Sequence, residues 1–169
     1  MRDRQYPATV VEVLDDQMSF SSDLIQAVQR FADSRPWRGS TESRQEKFRE
    51  CNRSMAGPCG IEPPTLVFGR LDGGSTGASH YVPRDHRIVL TGKLSVVTFL
   101  HEYGHAVGFG ERAACRWSIN LFRKCFPRQF SRLIHVGHTL VRPQAVARRI
   151  RRSDRSSVSA RDTRRQNNG

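Results

Sequence analysis

No stretch of this 169-residue chain approaches the ~20 consecutive apolar residues that a membrane-spanning helix requires. The first residues, MRDRQYPATVVEVLDD, hold one short apolar patch that Asp15 and Asp16 interrupt, too little for the apolar region of a secretion signal. The sequence therefore predicts a cytoplasmic protein with no membrane partner. C-x-x-C pairs are also missing. The cysteines are Cys51, Cys59, Cys115 and Cys125, so a zinc knuckle built from cysteines is not expected, and free thiols are the expectation for a reducing compartment. No internal repeat is present.

What the chain has in excess is positive charge, +12 in all. From Arg142 onward nine arginines face only Asp154 and Asp162, so this stretch holds seven of the twelve net charges and the first 141 residues hold five. Residues 142–169 are rich in Arg and Ser and have no apolar period, which predicts a disordered tail. Its charge would allow weak contact with nucleic acid. The rest, 1–141, is long enough for one domain with a buried core.

Periodicity places the elements of that domain. Thr9–Leu14 is a weak strand signal. Leu24, Ile25, Val28 and Phe31 share one face of a helix over Ser22–Asp33, capped by Ser21 or Ser22 and stopped by Pro36. A second helix is expected over Thr41–Met55, with Phe48, Cys51 and Met55 as its apolar stripe. Three short strands follow, Thr65–Gly69, Ala78–Val82 and His86–Leu90, separated by the loop Leu71–Gly77 and the turn at Pro83. Their close spacing predicts a small, mostly antiparallel sheet joined by hairpins. Helical periodicity returns over Leu94–Val107 and again over Glu111–Phe126, where Pro127 ends it. A last helical stretch is expected around Phe130, Leu133 and Ile134.

The segment VVTFLHEYGHAVGFGER, residues 96–112, carries the chemistry. Residues four apart on a helix lie on one face, roughly 5–6 Å apart at Cβ. His101 and His105 can thus ligate one ion, and zinc accepts imidazole nitrogen in tetrahedral geometry. Glu102 stands beside the first histidine, placed to take a proton from water. A catalytic zinc needs a third protein ligand. Glu111 is the leading candidate: Gly108 and Gly110 allow the chain to turn back, and Glu111 then opens the next helix, where an acidic side chain is favoured. His135 and His138 are the rival third ligands. His80 and His86 flank the hairpin turn and could also approach the site, while Tyr103 fits a packing role better than a catalytic one and Tyr81 has only its neighbourhood in its favour.

HEYGHAVGFGER followed by AACRWSINLF and Pro127 resembles a small gluzincin-type zinc metallopeptidase, similar to minimal metallopeptidases of bacteria and mobile elements. The resemblance spans about residues 60–127 and includes Glu111, Ala114, Trp117 and Pro127 in an E-x-x-A-x-x-aromatic pattern. An SprT-like protease, with a downstream histidine ligand, is the weaker likeness. A metzincin would need a methionine turn after the motif, and every methionine (Met1, Met18, Met55) precedes it. The resemblance implies an α+β, zincin-like fold: N-terminal helices, a three-stranded sheet, the H-E-x-x-H helix and a helix carrying the third ligand. It also implies a protein or peptide substrate. The expected function is zinc-dependent hydrolysis with His101, His105 and Glu111 on the metal and Glu102 as general base. The alternative is a non-catalytic metal-binding regulator associated with nucleic acid through its basic tail.

Overall fold

The structure, a computed structural model, describes residues 14–69, 78–136 and 139–141, the last hairpin by its backbone alone. The weak strand signal at Thr9–Leu14 and the tail from 142 therefore lie outside the described residues, apart from Leu14, which is irregular.

Helix α1 (Ser22–Asp33) starts where the Ser21 hydroxyl accepts the Leu24 N–H at 3.3 Å. It buries Leu24, Ala27, Val28 and Phe31. Helix α2 (Thr41–Cys59) is capped by Ser40 rather than Thr41, with the Ser43 N–H at 3.2 Å from the hydroxyl. It runs past Met55, the expected end, through Pro58. Proline clashes with the Cβ of the residue before it in a helix; here that residue is Gly57, which has none. Gly60 ends α2 in the left-handed region, with its own N–H bonded to the Gly57 carbonyl and the Ile61 N–H to that of Ala56.

Strands β1 (Thr65–Gly69), β2 (His80–Val82) and β3 (Arg87–Thr91) form one sheet in the order β1-β3-β2. β2 pairs antiparallel with β3, but β1 pairs parallel with it, Thr65 opposite Arg87 through Gly69 opposite Thr91. The sheet is mixed, not mostly antiparallel. The apolar pattern locates strands without naming their neighbours; β3 is central because its Ile88 and Leu90 are fully buried on one face. A 3₁₀ turn over Pro83–Asp85 joins β2 to β3, and His86, at φ 44°, closes it, so β3 starts one residue later than the sequence implies.

Helix α3 (Val96–Ala106) begins after Ser95, whose hydroxyl accepts the Thr98 N–H at 3.2 Å; Leu94 stays outside it. It packs on β2, β3 and helix α4 (Glu111–Cys125). A short helix α5 (Pro127–Phe130) follows, then an antiparallel hairpin of β4 (Ile134–Val136) and β5 (Thr139–Val141). Ile134 thus opens a strand rather than extending a helix, consistent with the β-branched run of Ile134, Val136, Thr139 and Val141.

The core is aromatic. Phe31 and Phe48 meet edge to face at 4.9 Å, Phe48 and Phe99 at 5.4 Å, and Phe99 and Tyr103 at 5.8 Å between ring centroids. Trp117 on α4 stacks on Tyr103 at 6.5 Å, which fixes α4 beneath the H-E-x-x-H helix. The two helices approach closely because residue 104 is glycine: a Cβ there would lie 3.2 Å from both Cα and Cβ of Ala114. No helix among the described residues is long and apolar enough to cross a membrane.

Candidate metal centre

His101 and His105 lie one turn apart on α3, with their Nε2 atoms 3.1 Å from each other. Glu111, the first residue of α4, places Oε1 3.3 Å from His101 Nε2 and Oε2 3.4 Å from His105 Nε2. The turn that brings it back is a glycine-terminated helix end. Gly108 adopts φ 104°, its N–H bonds the His105 carbonyl, and the Phe109 N–H bonds the Gly104 carbonyl. The three side chains are partly open to solvent, at 19%, 21% and 34% exposure for His101, His105 and Glu111.

These distances test whether the residues suit zinc. Ligand bonds of about 2.0–2.1 Å in tetrahedral geometry place neighbouring donor atoms about 3.3–3.4 Å apart. The two imidazole nitrogens stand 3.1 Å apart and each meets a different oxygen of Glu111, at 3.3 and 3.4 Å, so the donors gather at about the spacing such a tetrahedron needs. The second nitrogens agree. His105 Nδ1 lies 2.9 Å from the Phe109 carbonyl oxygen, which can only accept, so Nδ1 carries a proton and Nε2 would be the nitrogen left to ligate an ion. The donor set of two imidazoles and a carboxylate fits zinc.

Glu102 points from the same helix toward the sheet and is 7% exposed. Burial pushes its carboxyl up to about 7 and the Glu111 carboxylate adds to this, while His105, a hydrogen bond from the Tyr81 backbone N–H and His80 pull it down. Tyr81 belongs to β2, the edge strand beside α3. Between that strand and α3–α4 runs a cleft of about 790 Å³ that contains His101, Glu102, His105 and Glu111, with Val97 and Ile119 among its apolar walls.

The remaining candidates are placed elsewhere. His86 Nε2 bonds the Glu62 carbonyl at 2.8 Å and its Nδ1 meets the Tyr81 hydroxyl at 2.9 Å, so this histidine secures the β2–β3 turn. His80 borders the cleft with Nδ1 2.8 Å from the Ala78 carbonyl. Tyr103 is fully buried and its hydroxyl donates to the Asn52 carbonyl at 3.4 Å, a packing role. Of the rival ligands, His135 lies on β4, where only backbone is described, and His138 lies outside the described residues.

One residue at the centre escapes the motif. Cys115 Sγ lies 3.6 Å from His101 Nδ1, and Cys115, His101 and Glu111 offer donor atoms within 4.8 Å of one another. Its signal in the sequence is the four-residue spacing from Glu111, which puts both on one face of α4. Comparison with known protein families, with curated proteins and with solved structures finds no match to this chain.

Proposed function

We propose that the chain is a zinc-dependent peptide hydrolase. The observation that carries this reading is the gathering of the His101 and His105 nitrogens and the two Glu111 oxygens within 3.1–3.4 Å, open to a cleft that also holds a buried carboxyl. His101, His105 and Glu111 would hold the zinc, which supplies Lewis acidity that makes water acidic near neutral pH and polarises a carbonyl.

The chain's own groups account for the rest. Glu102, with its carboxyl raised to about 7 by burial, is poised to accept a proton from the attacking water and to return it to the leaving nitrogen. The Phe109 carbonyl keeps the His105 ring in its ligand orientation. Among the described residues β2 is an edge strand and His80 and Tyr81 line the cleft, where an extended peptide backbone could add as a further strand. That edge is what favours a peptide over a compact substrate.

The test is metal analysis together with hydrolysis of a labelled unfolded protein and a mixed-sequence peptide library. Glu102→Gln should keep one zinc per chain and lose activity by roughly 10²–10⁴-fold. Full hydrolysis by that variant would end the mechanism. His101→Ala and Glu111→Ala should lose zinc to the same degree; zinc kept by Glu111→Ala would move the third ligand to another residue.

A further inference from the structure

The two metal-facing imidazoles have different partners on their far sides. His105 Nδ1 is held by a backbone carbonyl at 2.9 Å, a partner that no side-chain substitution can remove. His101 Nδ1 faces the Cys115 thiol at 3.6 Å. Cys115 is 7% exposed and sits one turn beyond Glu111, so α4 delivers both groups to the same histidine. Glu111 meets His101 at Nε2, while Cys115 meets it at Nδ1. The two nitrogens of an imidazole diverge across the ring. The sulfur thus meets the ring at the nitrogen other than the one that faces Glu111, while Sγ and a Glu111 oxygen stand within 4.8 Å of each other.

The proton inventory gives the contact a direction. For His101 Nε2 to present a lone pair, the neutral ring must carry its proton on Nδ1, which then donates to Sγ. A thiol that instead donated to Nδ1 would place the ring proton on Nε2 and block ligation. We infer that Cys115 is a positioning residue for His101: its sulfur accepts a hydrogen bond from Nδ1–H, fixes the ring's tautomer and angle, and is not itself a ligand of the metal. This rests on the reading that His101, His105 and Glu111 hold a divalent ion. It also bears on the choice between a catalytic and a closed structural centre, since four protein ligands including Cys115 would leave no place for water.

The experiment measures zinc affinity by competition with a chromophoric chelator in the full chain and in two variants. Cys115→Ala removes the acceptor and should weaken zinc binding roughly 10-fold, the lower end of what losing such an outer partner costs. Cys115→Asn places a carbonyl oxygen within reach of Nδ1 and should restore most of that affinity. A thiol that only filled space would not be rescued by a polar amide. The cobalt-loaded wild-type chain adds a spectroscopic readout: no thiolate-to-cobalt charge-transfer band is expected. Such a band, absent in Cys115→Ala, would make Cys115 a ligand and overturn the inference. Equal zinc affinity in wild type and Cys115→Ala, or an asparagine variant as weak as alanine, would overturn it too, leaving the metal site intact. A wild-type chain that binds no zinc would instead overturn the metal reading, and this inference with it.

Discussion

Burial makes the carboxyl of Glu102, the proposed general base, less acidic than a solvated glutamate, at a cost to folding. Its carboxyl stands near 7 in the folded chain against an ordinary 4.5. Between those values the native state holds a proton that the unfolded state has lost. Stability of the metal-free protein therefore falls as pH rises from about 4.5 through about 7 and levels off above, by about 3 kcal/mol from this group. Glu102→Gln has no such titration. In the presence of chelator it should match wild type near pH 4.5 and exceed it by about that amount at pH 8, as read by urea unfolding. A difference between the two proteins that does not change with pH would show that Glu102 titrates as a solvated residue. The histidines and Glu102 are legible in the sequence because the H-E-x-x-H spacing maps directly onto helix geometry. Cys115 was not, because a lone cysteine acquires meaning only from the histidine ring that another helix brings to it.

Two glycines separate two requirements of the helix junction that builds the site. Gly108 has open space where a Cβ would go but sits at φ 104°. Gly108→Ala should thus cost backbone strain alone, about 1–2 kcal/mol. Gly104 has ordinary helical geometry but lies against Ala114 at 3.2 Å. In Gly104→Ala the helix gains about 1 kcal/mol of propensity, which offsets overpacking of about 1–3 kcal/mol. Its unfolding free energy should change little, yet α4 is pushed from α3 and the zinc affinity falls. Calorimetry and zinc titration of both variants check this; a Gly104→Ala protein with wild-type affinity would show that the approach of the helices is not set at this contact. The helices themselves, with the glycine turn that returns Glu111, are readable from period and breakers. The sheet is less so. The residues of β1, β2 and β3 mark three strands, but the parallel pairing of β1 with β3 depends on which strand is buried at the centre, a property of the assembled layers. Ile134 shows the same limit: its apolar neighbours Phe130 and Leu133 give a helical spacing, while its backbone belongs to a hairpin.

At the scale of the whole molecule α4 is the common wall of core and site. One face carries Trp117, Leu121 and Phe122 into the aromatic core, and its first turns carry Glu111 and Cys115 to the histidines. On its outer side Arg116 pairs with Asp15 and Arg123 with Asp16, while the Asn120 side chain accepts the Asp15 N–H at 2.9 Å. The position of α4 is therefore set chiefly by its buried aromatic face, the exposed ion pairs on its outer side adding little. On that packing the chain is expected to differ from small domains whose folding is supplied by zinc, which unfold when it is removed. The metal-free protein should keep a cooperative thermal transition and the near-ultraviolet signature of packed aromatics. Zinc should then act as a ligand for a preformed site: at a free concentration 100 times its dissociation constant it adds about 2.7 kcal/mol, or roughly 10 °C in the midpoint for a domain of this size. The same addition to His101→Ala should leave the midpoint where it was. Loss of the cooperative transition on chelation would instead mean that zinc holds α3 and α4 together, and the site would then have to be read as structural before catalytic.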